Sequence, residues 1–318
     1  MSKIGFNRNS IMTRLLLSML VVLLIQTLLL AGNIWYGGTI EELNSNSIGL
    51  LNERVLSRKD YLQNETIQRW SNFTKFEHDI QNSMGSFLSE KDISLSTFLQ
   101  DSDLAFEFLE RAVDHVIYAI RQRMVTGAFV ILNGESEEEY PGVYIRDLDP
   151  LFNPNDNSDL LMNRGPSVVA RKADLSLGRG WTPSFTLLEE DDAASFYYKP
   201  LKAARETSGD DFSDLGYWSR PFALSEYDVE VITYSVPLLD AEGNPYGVIG
   251  IDLTLDYLRK MLHYDEIADN KQGSYLLGIA KDGENTFENV LSSGPLFKKL
   301  VGDKLQTVFD EKTRHENF

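Results

Sequence analysis

Apolar and polar positions change period several times along the chain, and each change marks an element. Leu15 to Gly32 is an unbroken apolar run, LLLSMLVVLLIQTLLLAG, followed by Trp35 and Tyr36. At ~1.5 Å per residue it spans ~27 Å as a helix, and extension into Asn33-Ile34-Trp35 completes a bilayer crossing over residues 15–36. Lys3, Arg8 and Arg14 precede it without an acidic residue, which puts residues 1–14 on the cytoplasmic side. A cleaved signal peptide is the competing reading. Its apolar core is normally shorter and ends in an Ala-x-Ala-like site, which Leu30-Ala31-Gly32 fits poorly.

From Thr39 to Leu88 apolar residues recur at steps of three and four: Ile48, Leu51, Val55, Leu62, Phe73, Phe76 and Ile80, with a gap near Trp70. A long helix with a narrow stripe predicts a stalk that packs along its own domain or along a second copy. An ordinary core helix or two would give the same pattern. Ile93 to Arg123 predicts a second helical region, with Leu104, Phe108, Val113, Ile117 and Ile120 on one face and Ser102 or Asp103 as N-cap.

Strand-type stretches then take over. Val125–Leu132 (VTGAFVIL) and Gly142–Arg146 (GVYIR) predict a hairpin, joined by an acidic loop through Glu135 and Glu139. Asp147 to Asp192 is rich in turn residues and predicts an irregular segment that covers a pocket. Within it Asn153, Asn155, Asn157 and Asp159 alternate as in a calcium loop. Ser158 stands where that loop needs glycine and Arg164 where it needs a bidentate Glu, so a polar surface loop is the plainer reading. Phe196–Pro200 (FYYKP) predicts a short strand. Val229–Leu239 and Tyr246–Leu253 predict a long hairpin about the Asp240–Pro245 turn, with a helix from about Leu255 to His263. Gly273–Ala280 and Glu288–Ser292 predict another hairpin, and Pro295–Asp310 a final helix. The strand–turn–strand order seen from Val125 thus starts again near Gly273, as at the beginning of a second module.

Composition narrows the class. The chain has 318 residues, 42% of them hydrophobic and 11% aromatic, enough for packed cores. A net charge of −18 argues against nucleic acid as a partner. The absence of cysteine excludes disulfides, a thiol nucleophile and cysteine-based metal sites. His78, His115, His263 and His315 are scattered and match no zinc-hydrolase spacing, and there is no nucleophile elbow or P-loop. No catalytic residue, metal or cofactor is expected in this chain.

The order of apolar anchor, long helix and strand hairpin, closing on VITYSVPLLDAEGNPYGVIGIDLTLDYL, resembles the double Cache (dCache) sensor, whose PAS-like modules stack on one long helix. Gly247-Val248-Ile249-Gly250-Ile251-Asp252 through Leu258 matches the G-V-x-G-x-D-x-x-x-x-x-L closing pattern of the membrane-distal module. NERVLSRKDYLQNETIQRWSN, YPGVYIRDLDP, FYYKP and DLGYWSRPF look like the N-terminal half of clostridial Cache receptors. The resemblance implies an α+β chain with a helical stalk over 38–124, a membrane-distal Cache module over 125–263 and the start of a membrane-proximal one over 264–318. It implies a diguanylate cyclase (GGDEF) or histidine kinase as the output beyond this chain, and a homodimer formed through the stalk.

The resemblance also implies a small-molecule ligand, an amino acid or another metabolite, in the distal module. Asp252 matches the closing Asp that grips an amino group, Tyr197 and Tyr198 the aromatic pair before Lys-Pro, and Tyr217 and Trp218 the aromatic pocket strand. Arg179 and Trp181 supply an R-x-W, but Thr182-Pro183 follow in place of the residues of the amino-acid-binding version. From the residues themselves, Tyr197, Tyr198, Tyr217, Trp218 and Tyr234 are either pocket walls with polar tips or core packing. Asp252 interrupts an apolar strand, so it either meets a cation or caps the helix that follows. A membrane-anchored adhesion or structural protein is the alternative function.

Overall fold

The computed structural model describes residues 11–36, 39–134, 139–150, 157–207, 212–267, 273–280, 286–295 and 306–308. The chain divides into two compact units, Met1–Lys59 and Asp60–Phe318. In the first, helix α1 (Ile11–Tyr36) holds Arg14–Gly32, a segment long and apolar enough to cross a membrane. Within that segment Ser18 donates its hydroxyl to the Leu15 carbonyl and Thr27 to that of Leu23. Helix α2 (Thr39–Asn64) follows.

The expected single stretch to Leu88 is broken once. A π-helical turn, Glu65–Trp70, and a short break at Ser71–Phe73 separate α2 from α3 (Thr74–Lys91). This is the gap in the apolar stripe. The wider turn changes the phase of the helix, and Trp70 and Phe73 are buried beside it. Along α3 the buried apolar side chains are Phe76, Ile80, Met84 and Phe87, one per turn. Next come α4 (Leu95–Phe98) and α5 (Ser102–Arg123). The N-cap of α5 is Asp101, not Ser102 or Asp103. Asp101 is extended, and its carboxylate accepts from the amides of Asp103 and Leu104, whereas Ser102 is already helical. Phe87, Phe98 and Phe108 meet edge to face with 5.8 Å between each pair of centroids, pinning α4 onto α3 and α5.

The strands are β1 (Gly127–Leu132), β2 (Glu139–Tyr140), β3 (Gly142–Asp147), β4 (Leu160–Arg164), β5 (Ser176–Thr182) and β6 (Phe185–Thr186), with α6 (Ser167–Lys172) between β4 and β5. They continue, after α7 (Ser195–Glu206), as β7 (Tyr217–Trp218), β8 (Val231–Leu239) and β9 (Pro245–Thr254), and α8 (Leu255–Met261) follows. Seven of them form one sheet in the order β5-β4-β3-β1-β9-β8-β7, antiparallel except for the β4–β5 pair, while β2 pairs with β6. A separate sheet joins β10 (Tyr275–Ala280), β11 (Thr286–Ser293) and β12 (Gln306–Val308).

Alternation along the strands divides the large sheet into two faces. Ala128, Val130, Val143, Ile145, Val236, Ile249 and Ile251 belong to the core formed with α3 and α5. Phe129, Ile131, Tyr144 and Val248 point the other way, into a second cluster with Phe185, Phe196, Tyr197 and Leu201. The antiparallel-rich sheet with its long helices is an α+β arrangement consistent with a PAS-like Cache fold.

Three expectations are corrected. Phe196–Pro200 is not a strand but part of α7, because Phe196, Tyr197, Pro200, Leu201 and Ala204 fall on one buried helical face. Pro200 has no N–H for the Phe196 carbonyl one turn earlier; Ser235 of β8 donates its hydroxyl to that oxygen instead, at 2.6 Å. Asp147–Asp192 is not irregular throughout, since it contributes β4, α6, β5 and β6. Leu160–Arg164, the second half of the run compared with a calcium loop, is β4, and Asn153, Asn155 and Asp156 lie outside the described residues. Within the expected final helix Pro295–Asp310, Gln306–Val308 is strand β12, paired with β11; residues 296–305 and 309–310 lie outside the described residues, as do 135–138 of the acidic loop.

Candidate functional site

The register of the large sheet brings Thr233, Asp252, Gly127 and Arg146 side by side on β8, β9, β1 and β3. Gly127 decides what happens along this row. A Cβ there would collide with the Asp252 carboxylate and with the Ile145 carbonyl oxygen. With no side chain in the way, Arg146 reaches across β1, and its Nη2 lies 3.8 Å from Asp252 Oδ2. Arg146 Nη2 also donates to the Tyr144 hydroxyl. That hydroxyl donates to Asp252 Oδ2 at 2.5 Å, and Thr126 Oγ1 donates to Asp252 Oδ1 at 2.5 Å. Both carboxylate oxygens are therefore occupied from within the protein, and Asp252 is wholly buried.

Burial pushes the Tyr144 hydroxyl well above its ordinary range, which keeps it a donor at neutral pH. For Arg146 burial works against the charge, but the Tyr144 oxygen and the Asp252 carboxylate outweigh it and raise the guanidinium above its usual range. The helix that follows β9 is capped by Thr254, whose side chain accepts from the Tyr257 amide, so Asp252 is not its cap.

One step along the strands the face turns aromatic. Phe129 lies over Gly250, where a Cβ would meet its ring, and packs edge-on against Phe196 at 5.2 Å. Phe196 in turn stacks on Phe222 at 5.1 Å. This part of the face is filled by α7 itself.

Beside the polar row lies an open cavity of about 460 Å³, within the range of small-molecule sites. Arg146, Thr126, Asp147 and Asn163 line it from the sheet, Gly178–Gly180 from β5, Tyr227–Glu230 from the loop before β8, and Leu255, Asp256 and Arg259 from α8. A buried ion pair, Arg164 Nη2 to Asp228 Oδ2 at 2.7 Å, fixes the Tyr227–Glu230 loop against β4, helped by Ser225 Oγ on the same carboxylate. Among the described residues no cluster of His, Asp and Glu is placed to hold a metal.

The side chains singled out from sequence are dispersed. Arg179 lines the cavity and lies over the Tyr227 ring at 5.7 Å. Asp252 sits behind Arg146, and Trp181 donates to the Gly165 carbonyl at 2.9 Å. Tyr197 and Tyr198 group with Tyr140, their hydroxyls bonded to Asn133 Oδ1 and to the Leu187 carbonyl. Trp218 packs on Tyr234, which meets Phe73 at 5.3 Å in the helix-side core. Tyr217 lies beneath the Lys199 ammonium. None of these six aromatics lines the cavity. Tyr144, Arg146, Thr126 and Asn163 were not singled out. The available signal was a charged residue alternating with a tyrosine in GVYIRD, otherwise an apolar strand.

The family model described as methyl-accepting chemotaxis protein-like, first PDC sensor domain, matches residues 187–260. That interval holds α7, the three strands β7–β9 and most of α8. Residues 187–260 are thus similar to a PDC-type sensor domain. No curated protein matches the sequence. Among solved structures, the ligand-binding domain of the Campylobacter jejuni chemoreceptor Tlp3, in complex with L-norvaline, is 12% identical, with 75% of this chain and 66% of that one covered and a TM-score of 0.37. The periplasmic sensory domain of Tlp1 from the same organism is 11% identical, with coverages of 69% and 66% and a TM-score of 0.34. The extracellular domain of soHK1S-Z6, described as a histidine kinase, is 16% identical, with coverages of 74% and 72% and a TM-score of 0.32. The family match thus spans part of this chain, and the chain spans 66% to 72% of those sensor domains.

Proposed function

We propose that this chain is the extracytoplasmic small-molecule sensing region of a membrane-anchored bacterial receptor, with its ligand in the cavity beside Arg146. The observation that carries the reading is a coincidence of place. The sensor-family match over 187–260 supplies β8, β9, most of α8 and the Tyr227–Glu230 loop, the elements that hold Asp252 and form one side of the cavity. In this reading 1–14 is cytoplasmic, 15–36 the anchor, 38–124 the stalk, 125–263 the membrane-distal module and 264–318 the start of a proximal one. Two copies associate through the stalk, and the output, a diguanylate cyclase or a histidine kinase, belongs to the parent receptor rather than to this chain. The chain itself binds and does not catalyse. Ligand binding shifts a population between two arrangements of β9 and α8.

The test is thermal unfolding of the detergent-solubilised chain against a library of amino acids and other metabolites. A ligand at a hundred times its Kd stabilises the folded state by about 2.7 kcal/mol, a readily measured shift. If no compound shifts the transition, the sensing role fails and the anchored adhesion or structural protein takes its place.

A further inference from the structure

The joint between α2 and α3 offers the backbone two hydrogen-bond registers. The Ser71 amide donates to the Thr66 carbonyl, five residues back, at 2.9 Å, and the Ser71 hydroxyl donates to the same oxygen at 2.7 Å. That hydroxyl also lies 3.5 Å from the Ile67 carbonyl, four residues back, which is the acceptor an α-helix uses. The π-helical turn therefore differs from an α-helical one by the transfer of one amide between neighbouring carbonyls, and Ser71 already spans both. Turns of this kind are found mostly at functional sites. Buried polar atoms beside it, Trp70 Nε1 and the Nε and Nη1 of Arg123, have no hydrogen-bond partner among the described residues. Leaving such groups unpaired raises the free energy of the arrangement shown.

The two sides of the turn are held unequally. On the α3 side, Arg123 at the end of α5 donates to the Asn72 carbonyl at 2.7 Å, and its guanidinium lies over the Phe73 and Phe76 rings. On the α2 side, Tyr61 and Ile67 are exposed and Leu62 is only partly buried against the core. Arg69 holds this side, paired with Glu65 at 2.8 Å and donating to Met124 Sδ at 3.6 Å. The Met124 carbonyl takes the Tyr257 hydroxyl of α8, and Tyr257 stands within electrostatic reach of Tyr61, Glu65 and Arg69. We infer that Glu65–Trp70 is a two-state phase joint: the Ser71 amide passes from Thr66 to Ile67, the end of α2 turns by one residue against a fixed α3, and α8 biases the choice through Met124. One residue of phase rotates the last turn of α2 by about 100° and advances it by about 1.5 Å. The joint is a property of the helix pair and stands whether or not the cavity takes a ligand.

The chain has no cysteine, so nitroxides can be attached at Gln63→Cys in α2 and Asp114→Cys in α5, both exposed positions, in the full chain in detergent. A one-residue change of phase carries the Gln63 side chain about 8 Å around a helix of ~10–12 Å diameter. Double electron–electron resonance should show a main distance and, more weakly, a second one displaced from it. Ser71→Ala, which removes the hydroxyl bond to Thr66, should raise the second relative to the first by about 2–10-fold. Tyr257→Phe, which unhooks α8 from Met124, should change the same ratio by about 2–30-fold. Deletion of Gln68 leaves a plain α-helical turn between flanking helices of unchanged phase, so it should keep the main distance and abolish the second. A single distance in both the natural chain and Ser71→Ala, or a second distance that survives the deletion, overturns the joint. A ratio that Tyr257→Phe leaves unmoved overturns the part given to α8. If the deletion variant does not fold, the Ser71→Ala and Tyr257→Phe ratios still decide both points.

Discussion

Ser235 offers the sharpest test of how α7 is held on the sheet. Its hydroxyl, wholly buried, donates to the Phe196 carbonyl, which Pro200 leaves without its normal helical partner. Ser235→Ala removes no appreciable volume but strands that carbonyl in the core. The expected cost is about 1–3 kcal/mol, the penalty for one unsatisfied buried acceptor. For a unit of this size each kcal/mol lowers the melting temperature by roughly 2–4 °C, so a fall of about 2–12 °C is expected. Pro200→Ala restores an N–H one turn from the orphan. The second substitution should therefore recover more stability in the Ser235→Ala background than in the natural chain, with a coupling of about 0.5–3 kcal/mol. Near-ultraviolet circular dichroism melts of the four proteins in detergent complete the cycle. Additive effects, or a Ser235→Ala cost below about 0.5 kcal/mol, would show that the hydroxyl does not substitute for the missing helical bond.

Gly127→Ala places a methyl group on the Asp252 carboxylate and the β3 backbone, and should cost about 1–3 kcal/mol by overpacking in a thermal melt. Phe108→Ala removes two of the three edge-to-face contacts among Phe87, Phe98 and Phe108, and should cost about 3–5 kcal/mol on the same assay. Asp147 titrates differently in the two states, because burial, with Asp159 and Asp149 nearby, pushes its carboxyl up from 3.8 to about 6 against the pull of the Asp149 amide. The folded chain then holds this proton more tightly than the unfolded one. Its contribution to stability is full below pH 3.8 and is lost as pH rises through about 6. Asp147→Asn should flatten that part of the melting-temperature profile; an unchanged slope would remove Asp147 from its origin.

Much of the architecture was legible because local pattern and tertiary burial agree. The α5 face from Leu104 to Ile120 and the β8–β9 hairpin are of this kind. The hairpin turn carries its own chemistry, with Asp240 Oδ1 accepting the Glu242 and Asn244 amides and Gly243 at φ +85. Where pattern and burial disagree, the sequence misled. FYYKP has strand-like aromatics and a proline, and its helical face emerges only when Leu201 and Ala204 are counted with it. SLGRGWT in β5 has no apolar alternation, because an edge strand with mostly exposed side chains is held by its pairing with β4. Asp252 stood out as a lone acid in an apolar strand. Its partner did not, because Arg146 ends a strand of ordinary appearance, and only the sheet register places Gly127 between them. The aromatics at 197, 198, 217, 218 and 234 carry the composition of a pocket wall, while their hydroxyls, indole and ring faces are engaged by neighbouring elements.

Thr126 gives the polar row a mechanical reach beyond the sheet. While its hydroxyl donates to Asp252, the same oxygen accepts the Thr254 amide at 2.8 Å, and Thr254 caps α8. Tyr257, one turn into α8, donates to the Met124 carbonyl at the end of α5, and Ser293 of β11 donates to the Leu262 carbonyl just beyond α8. A single oxygen therefore stands between the carboxylate behind Arg146 and a helix tied both to α5 and to the second sheet. Linkage runs both ways through such a joint. Whatever free energy an occupant at Arg146 spends on moving α8, a restraint placed on α8 from the far side returns to the affinity at Arg146 by the same factor.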